Sequence, residues 1–178
     1  MGGLVVALYM ILIHDPSKLS INRIVFWAPA FGLNLASGWA KDLGFGLKFG
    51  FNLLFSESKT SIPVDHSKTF KNPTALEVHN KELHMLQRYS SRYLWKVFEA
   101  MNKLKSFGGS QKIQTPFIIF HGTLDNLVSQ PASFEFFASS PIKNQSKYVK
   151  LEGAWHHVFS DPLFKEEHWS MLRKFLKD

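Results

Sequence analysis

The chain has 178 residues, of which 45% are hydrophobic and 20% charged, enough apolar side chains for one folded core and too many for an intrinsically disordered chain. It has no cysteine, which excludes disulfides and thiolate metal sites. The formal net charge is +7, yet Lys and Arg form no dense run, so the charge reads as a solvated basic surface and no nucleic-acid partner is expected.

The longest apolar run is Leu4 to Ile13. It is shorter than the roughly 20 residues that cross a bilayer. No positive charge precedes it and His14-Asp15-Pro16 follows, unlike a signal peptide. It reads as a helix from Gly2 to His14, apolar on all sides and therefore buried. Without a leader or a spanning segment, a cytoplasmic or membrane-associated protein is expected. Arg23 to Ala28 is a continuous apolar run closed by Pro29, the pattern of a parallel strand covered on both faces.

The middle of the chain differs. Gly38 to Phe55 interleaves Gly44, Gly46 and Gly50 with Leu43, Phe45, Leu47, Phe49, Phe51, Leu53, Leu54 and Phe55, and only Lys48 carries charge between Leu43 and Phe55. Ser56 to Pro73 is polar and loop-like. Thr74 to Leu104 is helical in pattern, with a break near Tyr89 to Ser91, and no strand is expected in this region.

Pro116 to Phe120 is a second apolar strand, followed by His121-Gly122. Pro131 to Ala138 reads as a short helix, and Lys147 to Leu151 alternates like a strand near a sheet edge. From Pro162 to Leu176, apolar Leu163, Phe164, Trp169, Leu172, Phe175 and Leu176 recur at helical spacing. Helix and strand alternate at both ends of the chain, which predicts an α/β fold with a parallel sheet and a helical insertion.

Ligands of open parallel sheets bind beyond the carboxyl ends of the strands. Asp125 lies there after the second strand and His156 after the third, with one helix and one strand between them. A crossover of that kind brings both residues to the same edge of the sheet. A carboxylate beside an imidazole fixes its tautomer and stabilises the imidazolium, the chemistry of a general base. His121 and His157 are the competing histidines.

The loop His121-Gly122-Thr123-Leu124-Asp125-Asn126-Leu127-Val128 resembles the acid loop of α/β-hydrolases of the monoacylglycerol-lipase or lysophospholipase type, a serine aminopeptidase-type group. Glu152-Gly153-Ala154-Trp155-His156 resembles their Gly-x-x-His loop. Phe26-Trp27-Ala28-Pro29-Ala30 is similar to the strand end after their nucleophile helix. Phe70-Lys71-Asn72-Pro73 through Asn80-Lys81-Glu82-Leu83 looks like the start of their cap return, although Lys81-Glu82-Leu83 stands where Asp-Pro-Leu is common. The resemblance implies the C-terminal half of an α/β-hydrolase sheet. Residues 1–32 and 108–178 would belong to the core, and 33–107 to a helical cap. Asp125 and His156 become catalytic, without metal or cofactor.

The same family places Gly-His-Ser-Met-Gly-Gly at its nucleophile elbow. Met1-Gly2-Gly3 matches the last three residues, so the nucleophilic Ser is expected immediately before Met1, with the residue-1 backbone as an oxyanion donor. The chain as given is then expected to be truncated and inactive alone. An acyl-ester lipid is the implied substrate. Leu43, Phe45, Leu47 and Phe49 are expected to line the lid, and the cap to touch a membrane surface. Two rivals stay open at this level: a non-catalytic protein that binds a lipid or a partner, and a peptidase or epoxide hydrolase on the same fold.

Overall fold

The structure, a computed structural model, describes residues 1–34, 61–63, 66–82 and 88–177. In chain order the elements are α1 (Gly2–Leu12), β1 (Ile24–Trp27), β2 (Ser61–Pro63), α2 (Pro73–Lys81), β3 (Arg88–Ser90), α3 (Ser91–Ser106), β4 (Phe117–Gly122), α4 (Gln130–Ala138), β5 (Lys147–Leu151) and α5 (Glu166–Lys177).

Strands β1, β4 and β5 pair in parallel in that order. Ile24 stands opposite Phe117, and Phe120 opposite Val149. The central strand β4 is buried at every position, as its unbroken apolar run requires. β5 lies at an edge and is half-exposed, as its alternating sequence requires. Aromatic rings fill the interlayer space. Phe26 meets Phe31 at 5.4 Å and Phe117 at 5.8 Å, both edge-on. Trp27 stacks on Phe120 at 4.8 Å. Each buried Phe contributes about 1.5–3 kcal/mol by leaving water.

α1 departs from its expected full burial. Leu4, Ala7 and Met10 are buried, whereas Val5 is 60% and Ile13 70% exposed. One face packs on the sheet and, among the described residues, the opposite face meets nothing that covers it. An all-round apolar composition therefore does not specify which faces find partners. Gly3 sits where a Cβ would come within 2.8 Å of the Pro29 side chain. Its lack of a side chain lets the first turn of α1 rest against the segment just past β1. The N-terminus of α1 thus opens at the carboxyl end of the sheet.

The expectation of no strand in the middle of the chain is corrected. β2 and β3 form a two-stranded antiparallel pair, with Ser61 opposite Ser90 and Pro63 opposite Arg88. Three-residue strands are too short to show alternation, and Pro63 argues against a strand by propensity. β3 coincides with the break anticipated near Tyr89 to Ser91. The helices on either side start at side-chain caps: Asn72 accepts from Thr74 and Ala75, and Ser90 accepts from Tyr93. Helix α5 begins later than its apolar pattern suggests, because Asp161 accepts the Leu163 amide at 2.9 Å and holds a turn before it.

Candidate active site

The loops after β4 and β5 are hydrogen-bonded to each other. The Thr123 amide donates to Leu151 O at 3.0 Å, Leu124 to Ala154 O at 3.0 Å, and Gly153 to Thr123 Oγ1 at 2.8 Å. The backbones cross so closely at Gly122 that a Cβ there would lie 2.3 Å from Ala154 O. Asp161 Oδ2 accepts the Trp155 amide at 2.8 Å and so fixes the residue before His156.

This frame brings Asp125 and His156 together. His156 Nδ1 lies 2.8 Å from Asp125 Oδ2. The other carboxylate oxygen accepts the Leu127 and Val128 amides at 2.9 and 3.0 Å. The Asp125 side chain is fully buried, and that of His156 is 18% exposed. Burial alone pushes the Asp125 carboxyl up. Hydrogen bonding and charge from His121 and His156 outweigh that push and hold it well below the usual carboxylate range. With Nδ1 committed to the carboxylate, Nε2 is the ring nitrogen of His156 left for proton transfer. Asn34 Nδ2 donates to Asp125 O at 2.7 Å, tying the segment after β1 to the acid loop.

His157 points elsewhere. Its ring stacks on Phe70 with centroids 3.5 Å apart and planes 10° apart. Phe70 also meets His79 at 4.7 Å, and His79 meets His66 at 4.6 Å. Burial lowers His157 to about 3, reinforced by His156, His79 and His66. Burial also lowers His79, with His66 adding to the effect and Glu82 opposing it. The segment carrying these rings is stitched to both loops: Asn126 Nδ2 donates to Lys68 O at 2.5 Å, Lys71 Nζ to Gly153 O at 2.9 Å, and the His157 amide to Thr69 O at 3.2 Å.

Met1 caps α1 with its backbone: the Leu4 amide donates to Met1 O at 3.0 Å, and no side chain caps the helix. Leu43, Phe45, Leu47 and Phe49 lie outside the described residues. Among the described residues no group of three or more His, Cys, Asp or Glu side chains is placed to hold a metal ion. Two contacts escaped the sequence reading. His121, fully buried, has Nε2 3.2 Å from Asp125 Oδ2. Its position four residues before Asp125, at a strand end, was visible, but nothing in the sequence shows that the loop folds back onto its own strand. Asp161, which accepts the Trp155 and Leu163 amides, lies between β5 and α5, where no sequence pattern singles it out.

A parallel sheet flanked by helices, with an acid and a histidine on adjacent strand ends, defines an α/β-hydrolase. The family model described as serine aminopeptidase, S33, matches residues 1–163, and the chain belongs to that family. Solved structures agree on the fold. A Paleococcus ferrophilus monoacylglycerol lipase superposes with a TM-score of 0.75 at 20% identity, over 98% of this chain and 65% of its own. A soluble variant of Saccharomyces cerevisiae monoglyceride lipase, solved in complex with a substrate analogue, gives 0.74 at 18% identity, over 98% and 61%. A 2-hydroxy-6-oxo-6-phenylhexa-2,4-dienoate hydrolase from Rhodococcus sp. strain RHA1 gives 0.56 at 15% identity, over 100% and 62%. The chain therefore spans less than two thirds of the length of these structures. No curated protein sequence matches it at a significant level.

Proposed function

We propose that these residues form the acid–base part of a carboxylic ester hydrolase acting on monoacylglycerols or lysophospholipids. The observation that carries this reading is the 2.8 Å Asp125–His156 contact at the carboxyl end of the sheet. Family membership supports a serine hydrolase, and the fold shared with two monoacylglycerol lipases supports the ester substrate.

In this reading a serine stands immediately before Met1, at the head of α1. His156 Nε2 takes the hydroxyl proton as the serine oxygen attacks the ester carbonyl. Asp125 holds the ring and stabilises the imidazolium. The backbone amide of residue 1 is one donor to the oxyanion, aided by its position at a helix N-terminus. The tetrahedral intermediate collapses, His156 gives its proton to the leaving glycerol oxygen, and an acyl-serine remains. His156 then activates water, which releases the fatty acid and regenerates the serine. Residues 33–107 serve as the cap. In sequence, Leu43, Phe45, Leu47 and Phe49 give that cap the apolar side chains that an acyl chain or a bilayer surface would need.

The test is to join a Gly-x-Ser elbow and its preceding strands to Met1. The joined protein is expected to hydrolyse monoacylglycerol and to be labelled at that serine by a fluorophosphonate. The 178-residue chain alone is expected to stay unlabelled. Labelling of the chain alone at one of its own serines would overturn the assignment of the nucleophile.

A further inference from the structure

Asp125 has a second imidazole beside it. His121, the fifth residue of β4, is wholly buried, and its Nε2 lies 3.2 Å from Asp125 Oδ2, the oxygen already bonded to His156. Neither of its ring nitrogens has an aligned hydrogen-bond partner. Buried polar groups in native structures are almost always satisfied, and an orphan costs about 1–3 kcal/mol. A buried carboxylate has the converse need, since its charge is tolerated only when donors surround it. Oδ1 has the Leu127 and Val128 amides. On Oδ2, His156 is the partner that must move and change charge during proton transfer.

We propose that His121 is a positioning residue for the acid: its Nε2–H faces Oδ2 and keeps Asp125 ionised and oriented when His156 is not bonded to it. The role extends the hydrolase reading above, but it lives in the contact between two buried side chains and is measurable without turnover. His121 does not touch the substrate. It acts through Asp125, and its rigid place on the central strand makes it the fixed donor of the pair. The lowered pKa of Asp125 rests on both imidazoles against burial, which agrees with this division.

The test is carbon-13 NMR of the Asp125 carboxyl in the 178-residue chain. In His156→Phe, His121 is the remaining imidazole, and Asp125 is expected to stay ionised below the usual midpoint of about 4. In His156→Phe/His121→Leu, burial acts unopposed, and the midpoint is expected to rise above about 4, at least tenfold in dissociation constant. His156→Phe/His121→Gln, whose amide N–H can donate, is expected to recover most of the difference. Equal midpoints in the first two variants would overturn the proposal. A measurement on the unaltered chain guards against misfolded variants: nitrogen-15 shifts of His121 are expected to show the proton on Nε2 and a bare Nδ1. The opposite neutral tautomer would place a lone pair against the carboxylate and would overturn the proposal on its own. An inactive elbow-joined enzyme with these NMR results intact would instead count against the ester-hydrolase reading alone.

Discussion

His156 and His157 are neighbours in sequence and occupy opposite chemical settings. One lies 2.8 Å from a buried carboxylate; the other stacks on Phe70 in a cluster with His79 and His66. In the carboxylate corner the ring is held by Nδ1, which leaves Nε2 for proton transfer. In the aromatic cluster, burial and neighbouring imidazoles oppose the charge, so that region can pack the 66–82 segment but gains nothing from protonation. Identity of residue type says little here; the partner decides.

The comparison is broken most directly in the elbow-joined enzyme. His156→Ala and Asp125→Asn are each expected to lower kcat on the order of 10³-fold or more with little change in KM. His157→Ala is expected to be mild in the same assay. An essential His157 with a dispensable His156 would reverse the assignment of the base.

The frame beneath the corner is the next target. Gly122→Ala forces a Cβ into the Ala154 carbonyl, backbone against backbone, so nothing flexible can give way. A loss of about 3 kcal/mol is expected in urea unfolding of the 178-residue chain. An unchanged midpoint would mean that the two loops are farther apart than described. Asp161→Ala leaves the Trp155 and Leu163 amides without their acceptor. About 2 kcal/mol is expected from those two orphaned donors, read from the same unfolding curve.

The smallest effect tests the cluster through pH. His157 has an ordinary value of 6.5 and a folded value of about 3, so between these the unfolded chain binds the proton and the folded chain does not. Its contribution to stability is complete above about 6.5 and is lost as pH falls toward 3. The thermal midpoint should therefore drop across that window, and His157→Phe should flatten part of the drop. An unchanged slope in that variant would place the acid sensitivity elsewhere.

Much of this was legible in the sequence, for identifiable reasons. β1 and β4 are unbroken apolar runs closed by a proline or a His-Gly, and the parallel order followed from the helix between β4 and β5. The Asp125–His156 pair followed from strand ends and the crossover between them. The β2–β3 pair was not legible, because its three-residue strands are specified by each other and not by local pattern. Which side of α1 is exposed was not legible either, since a helix apolar on all sides carries no pattern that distinguishes its faces. The His121 contact depends on how sharply the loop after β4 turns, a property of backbone geometry set partly by Gly122 against Ala154.

Residues 68, 69 and 71 bond to the acid loop, to His157 and to Gly153. Mechanically this short stretch lies in parallel with the loops after β4 and β5, so it cannot lift without releasing them together. The amide of His157, whose acceptor is Thr69 O, is then a natural gauge of that lifting. Its hydrogen-exchange rate reports the free energy of opening this stretch, and amides within β4 report opening of the sheet itself. A gap between the two rates would measure how far the site can loosen while the core stays closed.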